Sequence, residues 1–158
     1  MIKILVVSDT HYTDRISELP DLSLYMKDVD AVFALGDFTS FDVLEYLNSF
    51  KKIVYAVHGN MDDNFVKNHL RDKMTLNIEN VSLALTHGSG SPYGIEERIK
   101  SAFSRNFDAY IFGHTHQPMS KYTDGVLFFN PGSLAIQTPS LGVLYVEKEN
   151  IWGKIVYV

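Results

Sequence analysis

Five short apolar runs in this chain each end in polar residues that can bind a metal ion. The polar residues follow the runs directly in the segments Asp9-x-His11, Gly36-Asp37, Gly59-Asn60, His87-Gly88 and Gly113-His114-Thr115-His116. Hydrophobic strands that deliver carboxylate, amide and imidazole groups at their carboxyl ends can build a site for more than one metal ion at one sheet edge. The pattern predicts an enzyme.

The amino-terminal two thirds of the chain alternates apolar runs with helical patterns. The runs cover residues 2–7, 31–35, 53–57, 81–85 and 109–112, and their continuity is typical of strands covered on both faces. Helical spacing is found in residues 41–47 behind Ser40 as a cap and in residues 95–103 behind Gly94. Asp62 and Asp63 can cap a short helix that reaches Leu70. Strands and helices in turn predict the α/β class.

The last third of the chain has a different sequence pattern. Residues 126–129, 142–146 and 151–158 are short β-type runs, separated by Asn130-Pro131-Gly132-Ser133 and by residues 147–150. This pattern predicts antiparallel strands with turns. Because no linker, repeat or low-complexity tract divides the 158 residues, we expect one domain over residues 1–158. A domain of this size buries roughly 68–70% of its unfolded surface, which is enough for a full core.

Composition excludes several classes of protein. With 46% hydrophobic and 21% charged residues, the chain is neither disordered nor membrane-spanning in character. A net charge of −5 argues against a nonspecific nucleic-acid binder. The absence of cysteine excludes disulfides, a thiolate zinc site and a cysteine nucleophile. The first apolar run stops too early, at Asp9, for a signal sequence, so we expect a cytoplasmic protein.

The spacing of the polar residues indicates shared ligands. In extended backbone, residues two apart point the same way, so Asp9 and His11 can reach one ion and His114 and His116 can address the same region. Four of the six histidines stand at the ends of apolar runs. The Asp37 carboxylate can bridge two cations. Nitrogen and oxygen ligands without sulfur suit manganese, iron, zinc or nickel better than calcium or magnesium.

Together, the five ordered blocks resemble those of the calcineurin-like metallophosphoesterase superfamily, including Gly59-Asn60-x-Asp62. The short length and the Asn130-Pro131-Gly132-Ser133 turn resemble its small single-domain bacterial and archaeal phosphodiesterase branch. The resemblance implies a four-layer α/β/β/α sandwich with two mixed β-sheets. It implies two divalent transition-metal ions, with manganese preferred and iron, nickel or zinc possible. One ion would be held by Asp9, His11, Asp37 and His116, and the second by Asp37, Asn60, His87 and His114.

The function implied is hydrolysis of small or nucleotide-like phosphodiesters. In the expected two-metal mechanism, an activated hydroxide attacks phosphorus in line with the ester oxygen, and the ions neutralise the charge that builds up. By the same resemblance, the catalytic residues would be Asp37, Asn60, His87 and His114.

Two positions depart from the family pattern. Ser40 stands where many members have an acid, which concerns loop support only. Met61 stands where many members carry a histidine that can protonate the leaving group, and a thioether cannot donate a proton. His58, just before the Gly59-Asn60 pair, could replace that acid, although a structural role is the simpler interpretation.

Two other functions stay open. A noncatalytic interaction module is one, since a eukaryotic retromer subunit resembles this branch and serves mainly as a scaffold. The full ligand set disfavours it, whereas Met61 favours it. A nuclease is the other, disfavoured by the missing histidine and the acidic charge. We expect a small phosphodiester as substrate, no membrane or nucleic-acid partner, and exposed strand edges that could form a homodimer.

Overall fold

Ten strands in two five-stranded sheets form the framework of the protein. The computed structural model describes all 158 residues. In chain order, the elements are β1 Ile2–Val7, α1 Ser23–Met26, β2 Ala31–Ala34, α2 Asp42–Ser49, β3 Ile53–Ala56, α3 Asn64–His69, β4 Lys73–Ile78, β5 Val81–Thr86, α4 Ile95–Ser101, β6 Ala109–Ile111, β7 Met119–Thr123, β8 Val126–Asn130, β9 Ser140–Glu147 and β10 Asn150–Tyr157.

Both sheets are mixed. The first has the order β10-β9-β1-β2-β3, in which β1, β2 and β3 run parallel and β9 and β10 are antiparallel neighbours. The second has the order β4-β5-β6-β8-β7, in which β5, β6 and β8 run parallel and the outer strands β4 and β7 are antiparallel. The parallel strands of each sheet therefore end at a common edge.

Three apolar clusters separate four layers. The central one joins the facing surfaces of the two sheets, the second joins α1, α2 and α3 to the outer face of the first sheet, and the third joins α4 to the outer face of the second. Strand β1 explains the continuous apolar run, because Ile4 and Val6 face the opposite sheet while Leu5 and Val7 face the helices. The predicted four-layer α/β/β/α sandwich with two mixed sheets is confirmed.

Several local predictions differ from the structure. Strand β3 lies at a sheet edge, and Ile53 is 60% exposed, so the prediction of burial on both faces is wrong there. The prediction of antiparallel strands in the last third is confirmed for β9 and β10, which pair with each other, whereas β8 pairs in parallel with β6 on one side. Strands β4 and β7 were not predicted. The alternation of exposed and partly buried residues along β4 is a visible signal for the first of them.

The predicted helix caps are only partly correct. Asp63 caps α3 by accepting a hydrogen bond from the Val66 amide at 2.8 Å, whereas Asp62 does not cap it. Ser40 is not the N-cap of α2, because the helix begins behind Phe41, which forms no side-chain cap. The Ser40 Oγ nevertheless accepts a hydrogen bond from the Asp42 amide at 3.2 Å. Helix α4 begins behind Gly94 as predicted and ends at Ser101. None of the helices is long and apolar enough to cross a membrane.

Phe129 fixes how the two sheets pack. Its ring belongs to β8 in the second sheet, is fully buried, and lies over Gly142 of β9 and Gly153 of β10 in the first sheet. A methyl carbon at either glycine would come within 3.0 Å of the ring. The two glycines therefore form the recess that holds this side chain.

We predict that Gly142→Ala and Gly153→Ala each destabilise the protein by about 1–3 kcal/mol, the usual cost of overpacking a core. Without a clash, a glycine-to-alanine change would stabilise the protein by roughly 0.4–1 kcal/mol, because alanine reduces the conformational entropy of the unfolded chain. Urea unfolding measures the difference. As a control, each substitution is repeated in a Phe129→Leu background, where the smaller side chain should reduce the cost. An equal cost in both backgrounds would show that the ring is not the cause.

Candidate metal centre

The ends of the parallel strands from both sheets meet at one edge of the sandwich. Asp9 and Asp37 follow β1 and β2 in the first sheet, and His87 and His114 follow β5 and β6 in the second. Backbone hydrogen bonds hold neighbouring turns together, from the Asp9 amide to Gly36 O at 3.0 Å and from the Gly113 amide to His87 O at 3.0 Å. The predicted convergence of these residues is present in the structure.

Left-handed turns, and not extended backbone, place the polar side chains. The φ angles are 53° at Asp9, 43° at His11, 51° at Asp37, 67° at His114 and 58° at His116. The expectation of extended backbone in the Asp9-x-His11 and His114-x-His116 segments is therefore wrong. Positive φ is uncommon outside glycine, and such strained residues cluster at functional sites where the surrounding contacts hold them in place.

Asp9 is the most connected residue of the site. It is fully buried, and its Oδ2 accepts hydrogen bonds from Ser8 Oγ at 2.6 Å and from the His114 amide at 2.9 Å. Its Oδ1 faces His116 Nε2 at 3.1 Å. Burial opposes ionisation, but the contacts with His11 and His116, the nearby His87 and the Ser8 hydroxyl hold the pKa of the Asp9 carboxyl well below its usual range. A buried carboxylate is thus kept charged.

A first group of possible ligands consists of Asp9, His11 and His116, whose ligand atoms all lie within 4.8 Å of one another. The Nε2 atoms of His11 and His116 are 3.3 Å apart, and His11 Nε2 is 3.7 Å from Asp9 Oδ1 and 3.8 Å from Asp37 Oδ2. His11 is almost completely buried. Two imidazole nitrogens and two carboxylate oxygens therefore face one small volume.

A second group consists of Asp9, Asp37 and His87. His87 Nδ1 lies 2.6 Å from Leu35 O, and because a carbonyl only accepts, Nδ1 carries the proton. His87 Nε2 has no hydrogen-bond partner and lies 3.1 Å from Asp37 Oδ2. A lone pair facing a carboxylate oxygen at that distance requires a proton or a cation between them. This buried atom is the clearest mark of a cation site.

The titration behaviour of this pair agrees with that requirement. Burial lowers the basicity of His87, but the facing Asp37 and Asp9 carboxylates outweigh it and raise the pKa of the imidazole. Burial likewise opposes charge on Asp37, but His87 and the Met61 amide, which donates to Asp37 Oδ1 at 2.7 Å, lower the pKa of that carboxyl. The facing carboxylates therefore favour a positive charge at the position of His87 Nε2.

The distances fit bound metal ions. Nitrogen and oxygen ligands stand about 2.0–2.2 Å from a metal such as zinc, so two ligands of one ion are about 3.0–3.5 Å apart in the usual geometries. The contacts between the three inward Nε2 atoms and the two carboxylates span 3.1–3.8 Å. Two of these contacts lie in that range and the three at 3.7–3.8 Å are slightly longer, so the donor set suits divalent cations after small side-chain shifts.

The other two predicted ligands, His114 and Asn60, lie at the side of this centre. The His114 ring stands 5.3 Å from the His87 ring between centroids, and its Nε2 lies 2.9 Å from Gly90 O. The carbonyl again fixes the proton on Nε2, which leaves Nδ1 as the nitrogen with a free lone pair. Asn60 is exposed and borders, together with His87, a cavity of about 490 Å³.

Asp62 connects two turns of the site, a role that differs from the predicted helix cap. Its Oδ2 accepts hydrogen bonds from the amides of Asp37 at 3.0 Å and Gly59 at 2.6 Å, and its Oδ1 accepts from the Thr39 amide at 2.8 Å. The buried side chain thus ties the turn after β2 to the turn after β3. Burial raises the pKa of Asp62 despite the three amides. The Gly59-Asn60-x-Asp62 spacing was the only sequence signal for this role.

Further polar residues support the turns from behind. Ser133 Oγ donates to Asp9 O at 2.7 Å, and Asn130 Nδ2 donates to Gly113 O at 2.8 Å. Both come from the Asn130-Pro131-Gly132-Ser133 turn, whose sequence predicts a connection between strands and no contact with the site. Close packing adds to this support, because a methyl carbon at Gly113 would lie less than 3.0 Å from Ser8 Oγ and Asp9 Oδ2.

We predict that Asp62→Ala lowers the free energy of unfolding of metal-free protein by about 3 kcal/mol, because it leaves three amides without their charged acceptor. Asp62→Asn keeps one acceptor oxygen and should cost less. Asp63→Ala is the matched control, since it removes a cap with one amide partner and should cost about 1 kcal/mol. Chemical denaturation with chelator present measures all three. Equal losses in the Asp62→Ala and Asp63→Ala variants would contradict the role assigned to Asp62.

Comparison with known proteins identifies the family of this chain. Residues 2–149 match the model of the calcineurin-like phosphoesterase superfamily domain. A probable metallophosphoesterase of Methanothermobacter thermautotrophicus is 33% identical over 96% of this chain and 90% of its own length. A phosphodiesterase of Methanocaldococcus jannaschii is 28% identical over 93% of this chain and 95% of its own length. A solved structure of a Thermotoga maritima protein superposes with a TM-score of 0.81 at 36% identity, and the match covers 100% of both chains.

The family match spans nearly the whole chain, and the strand ends that carry the five polar blocks converge on a cluster of carboxylates and imidazoles. The chain therefore belongs to the calcineurin-like phosphoesterase superfamily, a family of phosphoric ester hydrolases.

Proposed function

We propose that this protein is a metal-dependent phosphodiesterase that hydrolyses small phosphodiesters. The observation that carries the proposal is the buried His87 Nε2, which faces Asp37 Oδ2 at 3.1 Å and has no hydrogen-bond partner. Membership in a phosphoesterase family and the phosphodiesterase name of a similar archaeal protein support the same reaction class.

In this proposal, seven side chains hold two divalent transition-metal ions. Asp9, His11, Asp37 and His116 would hold one ion, and Asp37, Asn60, His87 and His114 the other, with manganese preferred over iron, nickel or zinc. The central position of Asp37 supports its bridging role, since Oδ2 lies 3.8 Å from His11 Nε2 and 3.1 Å from His87 Nε2. When bound, the ions supply an activated water as nucleophile and neutralise charge on the phosphoryl oxygens.

The residues of the chain prepare the site for that chemistry. The Leu35 and Gly90 carbonyls orient the rings of His87 and His114 and fix which nitrogen is free. We assign Asp37, Asn60, His87 and His114 to the reaction centre. Met61 is 50% exposed beside them, and its side chain has no proton to give. His58 points its Nδ1 to within 3.3 Å of Gly59 O, which favours the structural role for this residue.

The alternatives make different demands. A noncatalytic scaffold has no use for buried carboxylates that are held ionised, and the low pKa of Asp9 and Asp37 counts against it. A nuclease would need a surface that follows a polynucleotide, and the chain carries a net charge of −5. A cytoplasmic location and a homodimer stay predictions from the sequence.

A first test uses Asp37→Asn, which should lose both ions and turnover. Loss of an outer hydrogen-bond partner already costs roughly 10–100-fold in metal affinity, and loss of a shared ligand should cost more. Elemental analysis and hydrolysis of bis(p-nitrophenyl) phosphate with manganese measure the two effects. Asp42→Asn, at an exposed position in α2, is the control with the same change of charge. Unchanged metal content in the Asp37→Asn protein would remove the two-ion arrangement.

A second test addresses the missing proton donor. Turnover of the natural sequence should fall steeply as the pKa of the leaving group rises. Met61→His should increase the rate only for poor leaving groups. General acid catalysis contributes typically ~10²–10⁴-fold, and we expect the low end or less because the site was not built around this ring.

His58→Ala is measured alongside, with metal content as a check. An equal gain for nitrophenyl and alkyl esters would contradict the missing-donor interpretation. If His58→Ala alone abolished turnover of alkyl esters, His58 would be the donor.

A further inference from the structure

The cavity beside the metal centre has a positively charged lining. Three cations, Lys67, Lys73 and Arg98, line it together with one acid, Asp72. None of the three cations has a carboxylate oxygen within 4.0 Å, since the ion pair of Lys121 with Glu96 is the only one in the protein that involves a lysine or arginine. In a chain of net charge −5, this is a local excess of unpaired positive charge.

The three cations are held in place by backbone carbonyls. Lys67 Nζ donates to Asn60 O at 3.0 Å, and Lys73 Nζ donates to Ala102 O at 2.7 Å. Arg98 Nε donates to Ser89 O at 2.8 Å, and its other nitrogens donate to two further carbonyls of the same loop. Carbonyl contacts orient these groups but leave their charge uncompensated, so each can still attract an anion.

The cavity begins at the metal centre and leads away from it. Asn60 and His87 border it, and Lys73 of β4 pairs with Thr86 of β5, the residue before His87. Paired residues on antiparallel strands have Cα atoms about 4.5–5.5 Å apart, so Lys73 stands one strand from the reaction centre. A second cavity of about 440 Å³ shares Lys73 and is also lined by Arg71, so the positive lining continues beyond it.

We propose that this cavity is a subsite for a second phosphate group of the substrate. The inference rests on the proposed phosphodiesterase function and names its substrate class: phosphodiesters in which one esterified half also carries a phosphomonoester. The three cations and Asp72 leave two net positive charges, which match a phosphate dianion near neutral pH. The cavity of about 490 Å³ is large enough for a nucleoside phosphate, because small-molecule sites span roughly 300–1,000 Å³.

Lys73 is the residue that tests the subsite most cleanly. Lys67 contacts Asn60 and Arg98 organises the loop after His87, so changes at either would also disturb the centre. Lys73 is exposed at the first position of β4, and its ammonium contacts only Ala102 O and, at 5.6 Å, the Phe103 ring. Lys27 is exposed outside the cavity and its ammonium forms no hydrogen bond or ion pair within the protein, so Lys27→Met is a matched control for the loss of one charge.

The first experiment compares two substrates that differ in one group. Thymidine 5′-(p-nitrophenyl phosphate) is assayed with and without a 3′-phosphate, using manganese-loaded protein. We expect KM to be about tenfold lower for the 3′-phosphorylated ester, and the difference to shrink as salt is raised. Lys73→Met should reduce the preference about threefold, while Lys73→Arg and Lys27→Met should retain it. An equal KM for the two esters, or a preference untouched by Lys73→Met, would overturn the subsite.

The second experiment needs no turnover. Titration calorimetry with chelator-treated protein compares thymidine 3′,5′-bisphosphate with thymidine 5′-monophosphate. The bisphosphate should bind several-fold more tightly to the natural sequence and to Lys27→Met, but not to Lys73→Met. If no diester is hydrolysed with any metal, the proposed function fails while this measurement still tests the subsite. If diesters are hydrolysed but the bisphosphate shows no advantage in binding, the subsite fails and the function stands.

Discussion

The buried carboxylate of Asp9 joins the two sheets, and the rest of the site depends on that link. It stands at the end of β1 and accepts hydrogen bonds from Ser8 beside it and from the His114 amide of the opposite sheet. A buried charge is tolerated only where it is paired and hydrogen-bonded, so the two sheet edges must approach closely. Gly113 permits the approach, since any side chain there would meet Asp9 and Ser8. The close approach of the two sheet edges is therefore needed both for packing of the sandwich and for assembly of the centre.

That constraint explains which parts of the fold could be predicted. Strands β1, β5 and β6 are covered on both faces, and strands buried in this way have nearly continuous apolar sequences. Strand β3 carries a similar run yet lies at an edge, because pairing order is decided by tertiary contacts. Strand β7 is mostly exposed and its residues are largely polar, so no run marks it. The parallel pairing of β8 with β6 likewise has no local signature.

The site shows the same division. Its acidic and histidine side chains could be predicted because each stands where an apolar run stops. Their geometry could not be predicted, since the left-handed turns at Asp9 and His114 depend on hydrogen bonds between the ends of different strands. The role of Asp62 was hidden for a related reason. Its three partners are backbone amides, and an amide is the same whatever residue carries it.

The centre and the cavity beside it have opposite charges and different structural origins. The centre contains buried carboxylates on turns that both sheets hold rigidly, and such a donor set suits cations whatever is attached to the substrate. The cavity is lined by the half-buried Lys67 of α3 and by the exposed Lys73 of β4 and Arg98 of α4, outside the packed core. A change at Lys73 alters the charge that a substrate meets without touching Asp9 or its partners, whereas Lys67 and Arg98 also contact the turns around the centre. In the proposed enzyme, the reaction therefore depends on the buried centre, and the choice of substrate depends on side chains that can vary at little cost to the fold.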